Sequence, residues 1–471
     1  MDRMNKRAGI AAGVGMAFAI LLPHDAGAQF ELKETAPGTA QKAIPDGSRN
    51  DRQALTEAYN TGGFALFQQL SHAQGNIVLS PFSIGSAMAM ALSGARGETE
   101  REMAGVLKQR LDRSAMEASN GAVLSVLHAY DKSAVPKCLA GMRASGARCE
   151  APLPPNGECV FPAQREGDRC VAAGTFPASA RLLTANALML TGAQGDLIAA
   201  SYATLLKEKY DAEIFSNAGL DDVNGWVKRK TEGKIERILE QLDRSTAAVI
   251  LNAVYFKARW ALVFDKAATT DSAFNLSPPK KISVPTMRRQ GHFALAARPG
   301  YRAIRLPYEV GDIGMVIVLP NEVNGLEAVS RRLDANEWAA LVVALHSGSA
   351  VKAVDLALPR FKASLNSNLV PQFQEAGMKR AFDVKLADFS GMTARPAVQL
   401  AIGSIVHRAV IEVMEEGTEA AAATAVSIVA GAVQRPPEEP QLFHVDHPFL
   451  FAILDDASGA ILFQGRTVDP R

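Results

Sequence analysis

The sequence predicts an α+β domain. Helical and strand-like stretches alternate without the regular β-α-β rhythm of a parallel sheet. The chain closes on an antiparallel hairpin, Phe449–Leu454 and Ala460–Arg466, joined at Ala457-Ser458-Gly459. Before it lies a run that is not a strand at rest: Glu415-Glu416-Gly417-Thr418-Glu419-Ala420-Ala421-Ala422-Ala423-Thr424-Ala425. In an extended chain, side chains alternate between two faces. The even positions Thr418, Ala420, Ala422, Thr424, Val426, Ile428 and Ala430 carry no charge, whereas the odd ones include Glu419 and Ser427. Alanine is a poor strand former. The run reads as a strand in waiting, exposed at first and insertable later.

The elements follow in order. Arg3, Lys6 and Arg7 precede an apolar run, Ala8–Leu22, which ends near Ala26-Gly27-Ala28. That run is shorter than the ~20 helical residues a bilayer needs. Residues 1–28 read as a signal peptide cleaved after Ala28, and residues 29–52 as a flexible lead-in. Ala54–Leu70 has helical spacing in Leu55, Tyr59, Phe64, Phe67 and Leu70, interrupted by Gly62-Gly63. Asn76–Leu79 reads as a short strand. Ser80 then caps a helix with Pro81 in its first turn, Phe82–Leu92. Residues 115–131 are helical. Residues 135–178 carry six prolines and no long periodic run. Beyond them Arg181–Leu190, Leu197–Tyr210, Val223–Leu242, Ala247–Phe256, Arg302–Leu306 and Met315–Leu319 alternate between strand and helix. A helix Leu326–Leu345 and strands Lys352–Leu358 and Ala409–Val413 complete the domain, 53–471.

Composition excludes several functions. The chain has 471 residues, 50 basic and 49 acidic. A near-neutral surface gives no purchase for nucleic acid or an acidic membrane. The eight histidines show no ligand spacing, so no metal is expected, and no cofactor motif is present. G-x-S-x-G, H-E-x-x-H, the phosphate loop and C-x-x-C are all missing. Ser277-Pro278-Pro279-Lys280 matches S-x-x-K, but two prolines make a turn rather than the helix start that such a nucleophile needs. No catalytic residue is expected.

Five separated segments carry a family resemblance, in order along the chain. They are Asn76–Ile84 (NIVLSPFSI), Leu251–Trp260 (LNAVYFKARW), Ala387–Met392 (ADFSGM) with Ser404–Ala409 (SIVHRA), the run from Glu415, and Phe443–Phe451 (FHVDHPFLF). The chain resembles an inhibitory serpin of bacterial type over nearly its whole length after residue 28. The resemblance implies helices packed on large antiparallel sheets, with an exposed reactive loop (415–441) that inserts as an extra strand. It implies a polar latch beneath the insertion point at Ser80, Ser83, Asn252 and His407. It implies a hinge of Glu415, Gly417, Thr418, Ala420, Ala421, Ala422, Ala423 and Thr424. Near the top of the sheet it implies an ion pair of Glu415 with Arg360, where the family usually has lysine, and Trp260 packed beside it.

The resemblance also places the scissile bond about fourteen residues beyond Gly417, at Gly431-Ala432. Counting back about eleven residues from Pro448 gives Pro437, so the loop is longer on its C-terminal side. The hinge-side count governs, because that side must insert. The small apolar surroundings, Ile428–Val433, suit an elastase-like or subtilisin-like protease. Arg435 is the trypsin-type alternative, hindered by Pro436. The interval Phe215–Asn224, where the family's helix across the front of the sheet begins, is several residues short.

Most serpins lack the insert at 136–176. It holds all four cysteines, Cys138, Cys149, Cys159 and Cys170, expected to form two disulfides with the connectivity open among three pairings. The expected protein is a secreted monomer, with the periplasm as the other placement. Its partner is a serine protease, with no nucleic acid and no stable membrane association. The alternative is a non-inhibitory serpin acting as a carrier, chaperone or protease-cleaved binding module.

Overall fold

The structure is a computed structural model that describes residues 47–72, 74–131, 142–145, 148–155, 158–159, 163–173, 180–190, 197–216, 218–241, 248–395, 399–418 and 439–471. Helix α1 (Arg49–Leu70) starts inside the stretch read as lead-in, because Ser48 caps it by accepting the Asp51 N–H at 3.1 Å. It runs through Gly62-Gly63 without a break. Strand β1 (Ile77–Leu79) leads to α2 (Pro81–Gly94), every residue of which is buried. Helices α3 (Gly97–Val106) and α4 (Arg113–Ala129, capped by Asp112) follow.

Four short strands come next: β2 (Arg143–Ser145), β3 (Arg148–Pro152), β4 (Gln164–Glu166) and β5 (Arg169–Ala173). The chain continues through β6 (Ala180–Leu190), α5 (Ala200–Tyr210), β7 (Ala212–Ser216), α6 (Leu220–Lys230) and β8 (Ala248–Arg259). Then come β9 (Thr270–Ser277), β10 (Lys280–Arg298), β11 (Tyr301–Pro307), β12 (Ile313–Pro320), α7 (Leu326–Arg332) and α8 (Ala335–Leu345). The remainder is β13 (Val351–Pro359), β14 (Phe361–Asn368), α9 (Val370–Glu375), β15 (Ile402–Met414), β16 (Gly417–Thr418), β17 (Gln441–His444), β18 (Phe449–Asp455) and β19 (Ala460–Thr467).

Several boundaries depart from periodicity for identifiable reasons. The helix in Val223–Leu242 stops at Lys230: Glu232 and Gly233 take positive φ, and the Gly233 N–H bonds back to the Lys228 carbonyl at 2.7 Å. Leu326–Leu345 is two helices, because Asp334 accepts the N–H groups of Asn336 and Glu337 and caps a new start. Ala409–Val413 is only the end of the 13-residue β15. The long β10 and the amphipathic β14 carry too many polar residues on one face to stand out as apolar runs. Ser277–Lys280 is the tight turn between β9 and β10, with Ser277 paired to Lys280.

Among the described residues the strands form three sheets. A nine-stranded sheet runs β1-β19-β18-β12-β11-β10-β13-β17, with β9 paired to β10. A six-stranded sheet runs β14-β15-β16-β8-β6-β7. The main core includes α1, α2, one face of the six-stranded sheet and the β11-β12-β18-β19 region. A second apolar cluster covers the opposite face. There Val223, Trp226 and Val227 of α6, with Ile235, Ile238 and Leu239 of the return segment, pack on β6, β8 and β15.

The third sheet, β2-β3-β5-β4, belongs to the cysteine insert, which is therefore a small module rather than an irregular loop. Cys159 and Cys170 are disulfide-bonded, and Cys149, buried beside Ala172, is disulfide-bonded too. Cys138 lies outside the described residues. The module's base is drawn together where the Ala180 N–H donates to the Tyr130 carbonyl at 3.2 Å and Arg181 pairs with Asp131 at 2.8 Å. Its two ends thus leave the body side by side. Deleting residues 136–176 is expected to leave the cooperative unfolding of the body intact, with the melting temperature moved by no more than a few degrees. Circular dichroism checks this, and a non-cooperative melt would make the module part of the main core.

Candidate functional site

The six-stranded sheet contains a forked seam. Along most of its length β15 pairs directly with β8 in parallel, Ile402–Val410 against Ala248–Tyr255. At the upper end the two strands separate and β16 lies between them, antiparallel to both. Thr418 faces Val413 and Ala258, and Gly417 faces Met414 and Arg259. The chain that leaves β15 thus turns back into the gap beside it. Gly417 permits this approach: a Cβ there would sit 2.1 Å from the Ala258 carbonyl oxygen, and φ is +155°. Thr418 is buried, and its hydroxyl shares a hydrogen bond with the Tyr308 hydroxyl at 2.6 Å.

The turn that feeds β16 is held by charge. Glu415 is buried, and its Oε1 accepts from Arg360 Nε at 2.8 Å, Arg360 Nη2 at 2.7 Å and Thr269 Oγ1 at 2.6 Å. Burial opposes its charge, but Arg360 and the threonine hydroxyl outweigh this and hold the carboxyl below its usual range. The expected pair is therefore present, with its carboxylate inside the protein rather than on the surface. Glu416 pairs with Lys266. Trp260 stacks on Tyr308 with ring centroids 4.4 Å apart, and its indole N–H donates to the Met414 carbonyl at 2.9 Å. Thr269, Lys266 and Tyr308 escaped sequence reading, since each is an ordinary residue until the fold brings it to the turn.

Below the fork, Ser80, Ser83, Asn252 and His407 converge in one buried network. His407 and Asn252 are register partners across the seam, and Asn186 of β6 is the next residue in the same row. His407 Nδ1 donates to Asn252 Oδ1 at 2.5 Å, and His407 Nε2 accepts the Ser80 N–H at 3.3 Å. Asn252 Nδ2 donates to Ser83 Oγ at 2.7 Å and to Asn186 Oδ1 at 2.5 Å. Ser80 Oγ caps α2 by accepting the Ser83 N–H at 3.1 Å. Desolvation pushes His407 down to about 3, so the imidazole is neutral and its two nitrogens hold opposite roles. Asn186 escaped sequence reading, because its place in this row appears only once the register is known. The His407–Asn252 bond is the side-chain link of this row across the seam.

The rest of the loop lies outside the described residues: hinge positions Ala420, Ala421, Ala422, Ala423 and Thr424, the bond Gly431-Ala432, and Arg435. So does the segment 1–28. Among the described residues, no group of three His, Cys, Asp or Glu could hold a metal, and no helix is long and apolar enough to cross a membrane.

A family model described as Serpin (serine protease inhibitor) matches residues 57–144 and 168–470. The chain belongs to the serpin family. The unmatched interval falls within the cysteine module. An uncharacterized serpin-like protein of Thermococcus kodakarensis is 32% identical over 93% of this chain and 90% of its own length. Iripin-2 of Ixodes ricinus is 31% identical over 88% and 92%, and human Serpin B3 30% identical over 88% and 100%. The crystal structure of Serpin48, a highly specific serpin of Tenebrio molitor, matches with a TM-score of 0.67 at 26% identity, over 89% of this chain and 99% of that one. Tengpin, a thermophilic serpin in its native state, shares the fold with a TM-score of 0.71 at 22% identity, over 90% and 96%. The α+β architecture is the serpin fold. The family is one of serine protease inhibitors rather than catalytic enzymes, with some non-inhibitory members, and it supports protease inhibition as the general function.

The neutral His407 makes stability pH-dependent. Between pH 6.5 and about 3 the unfolded chain binds a proton on His407 that the native state excludes. Stability therefore falls as pH drops through this window, by about 2 kcal/mol at pH 5. The first guanidinium unfolding transition is expected to move to lower denaturant between pH 7.5 and pH 5. In His407→Gln, less stable at pH 7.5, the shift should be smaller. An equal shift in the variant would assign the effect to other groups.

Proposed function

We propose that this serpin is an exported suicide-substrate inhibitor. The target's serine attacks the carbonyl carbon of Gly431 and displaces the Ala432 amine, giving an acyl-enzyme. The freed loop then enters the seam as a full strand. The protease, dragged along, is trapped with a distorted catalytic site before water can release it. Export rests on the apolar segment ending at Ala28.

The observation that carries this reading is the position of β16. Extending its register down both neighbours puts each even side chain between matching partners. Ala420 falls between Ile411 and Phe256, and Ala422 between Ala409 and Val254. Thr424 falls between His407 and Asn252, and Val426 between Ile405 and Ile250. Apolar residues meet apolar ones. Among the even positions below the fork the one hydroxyl, Thr424, arrives where opening the seam breaks the His407–Asn252 bond, and a hydroxyl can both donate and accept. Small alanines and an uncharged face also weigh against the non-inhibitory alternative, which would tolerate a bulky or charged hinge.

The same extension supports the hinge-side bond. Ile428 reaches the level of Ala248, the lower end of β8, so the sheet is filled about three residues before Gly431. Arg435 would leave further slack. Gly431 and its small apolar neighbours fit a shallow apolar pocket and leave an acidic one unpaired. Elastase-like or subtilisin-like enzymes are the proposed targets.

Two tests follow. Thr418→Arg places a charge in a fully buried position, a cost of several kcal/mol, and Thr424→Val leaves the parted His407 and Asn252 unpaired. Both should shift reaction with elastase or subtilisin from complex to cleavage, Thr418→Arg nearly completely. Gel analysis of SDS-resistant complexes against cleaved inhibitor reads this. An unchanged stoichiometry in Thr418→Arg would sink the insertion mechanism.

The bond itself is found by N-terminal sequencing of the C-terminal fragment freed when a complex is denatured. A fragment starting at Ala432 is expected, with elastase-like or subtilisin-like enzymes inhibited faster than trypsin. A fragment starting at Pro436, with trypsin fastest, would overturn both assignments.

A further inference from the structure

A cavity lies away from the seam. It is an apolar cleft of about 540 Å³, including its open mouth, between α1, α2, the end of α3 and α9. Leu66, Ile84, Leu107 and Phe373 line its walls. Ala58, Gly62, Ala65 and Gln69 line it as well, a stripe of α1 at helical spacing that is small until its last position and is flanked on the same helix by the larger Tyr59 and Leu66.

Gly62 is informative because packing does not require it. Its neighbour Gly63 has no choice: a Cβ there would lie 2.5 Å from Pro81 Cβ. A Cβ on Gly62 would meet nothing within 4 Å. A glycine inside an exposed helix costs roughly 1 kcal/mol relative to alanine, and this one has no steric reason. What it does is leave the wall of the cleft open.

Two polar groups border the cavity. The Gln69 carboxamide lines it, and its Oε1 is buried without a hydrogen-bond partner. An amide can present either its oxygen or its nitrogen, so a polar group of either sense would satisfy it. Lys108 stands at the rim, exposed and with φ +56°, and among the described residues no carboxylate lies within ion-pair distance of it. Carbon walls with one unpaired cation at the rim match an anion with an apolar tail.

We infer that this cleft is a binding site for small apolar-tailed carboxylates, held by Lys108 at the head and by the α1–α2–α9 walls along the tail. The site backs on to the buried polar network: Pro81, Ile84 and Gly85 line it from the same turn of α2 whose other face carries Ser83. A bound tail braces that turn from behind.

Octanoate is the probe, with octylammonium and octanol as controls of equal tail length, measured by isothermal titration and by melting of the full-length protein. Octanoate is expected to bind one per chain, at least tenfold tighter than either control, and to raise the melting temperature. Gly62→Leu, which fills the open wall, should abolish binding without lowering the melting temperature of the free protein. Lys108→Glu, on an exposed rim, should weaken octanoate at least tenfold and favour octylammonium. Absent octanoate binding would overturn the inference, as would binding that survives both substitutions.

Discussion

Under the proposed mechanism, the parting of β8 from β15 is the constraint on which the rest of this molecule depends. A sheet accepts a new central strand only by breaking an existing ladder. The backbone cost is transient, because an arriving strand offers each edge the same N–H and C=O groups it has just lost. What does not cancel automatically is the side-chain traffic across the seam. Here that traffic includes a strong, buried hydrogen bond, His407 Nδ1 to Asn252 Oδ1. Asn252 also donates to Ser83 and Asn186, and His407 accepts the Ser80 N–H. Ser80 and Ser83 both belong to the start of α2 and are joined by the Ser83 N–H to Ser80 Oγ bond, so this turn holds both sides of the seam. Opening the seam breaks the His407–Asn252 bond, leaving one unmet donor and one unmet acceptor at about 1–3 kcal/mol each, and it loads the contacts of the α2 turn as well.

The two faces of the seam pose different problems to an incoming strand. The core face, at even positions of the loop, is lined by large buried side chains broken by the polar row. The opposite face is roofed by α6 and the segment that follows it, whose Ile238 and Leu239 N–H groups are held by the Asn224 side-chain oxygen. Odd loop positions would have to slide beneath that roof. Below Glu419, which would come level with Glu412 and Lys257, they are Ala421, Ala423 and Ala425, with Ser427 lower down. Alanine's weakness as a strand former is thus the counterpart of a low ceiling: a β-branched residue would hold a better strand and jam under α6. Three hydrogen bonds through Asn224 join α6 to the return segment, and the roof they make is held on the sheet by the apolar contacts of Val223, Trp226, Val227, Ile235, Ile238 and Leu239.

Much of this was legible in the sequence because the constraint acts through local chemistry. The two-sided character of the run from Glu415 shows in its alternation. Ser80 shows as a cap, and the latch residues stand in recognisable segments. What sequence reading missed depends on register or on long-range proximity. Asn186 acquires its meaning from a cross-strand row, Thr269 and Lys266 from a turn brought beside Glu415, and Tyr308 from its stack against Trp260. The strands of the cysteine module were hidden by prolines and short length, since a three-residue strand leaves no period to detect. Helix ends were misjudged where a side chain such as Asp334 or a backbone reversal such as Glu232-Gly233 overrode a continuing apolar pattern.

The sheet also acts as a ruler under the proposed mechanism. Pairing that starts at Gly417-Thr418 exhausts β8 near the level of Ile428, whatever lies further along the chain. The residue that carries a trapped protease must lie close to that limit. If it came earlier, the protease would stop short of the lower end of the sheet. If it came much later, a loose tether would let the acyl-enzyme recover its geometry. This explains why extra length on the C-terminal side of the loop is tolerated. Those residues belong to the strand left behind after cleavage, anchored at β17, and take no part in the insertion. The hinge-side length is fixed by the sheet, while the far side is free to vary with the shape of the protease that must reach the bond.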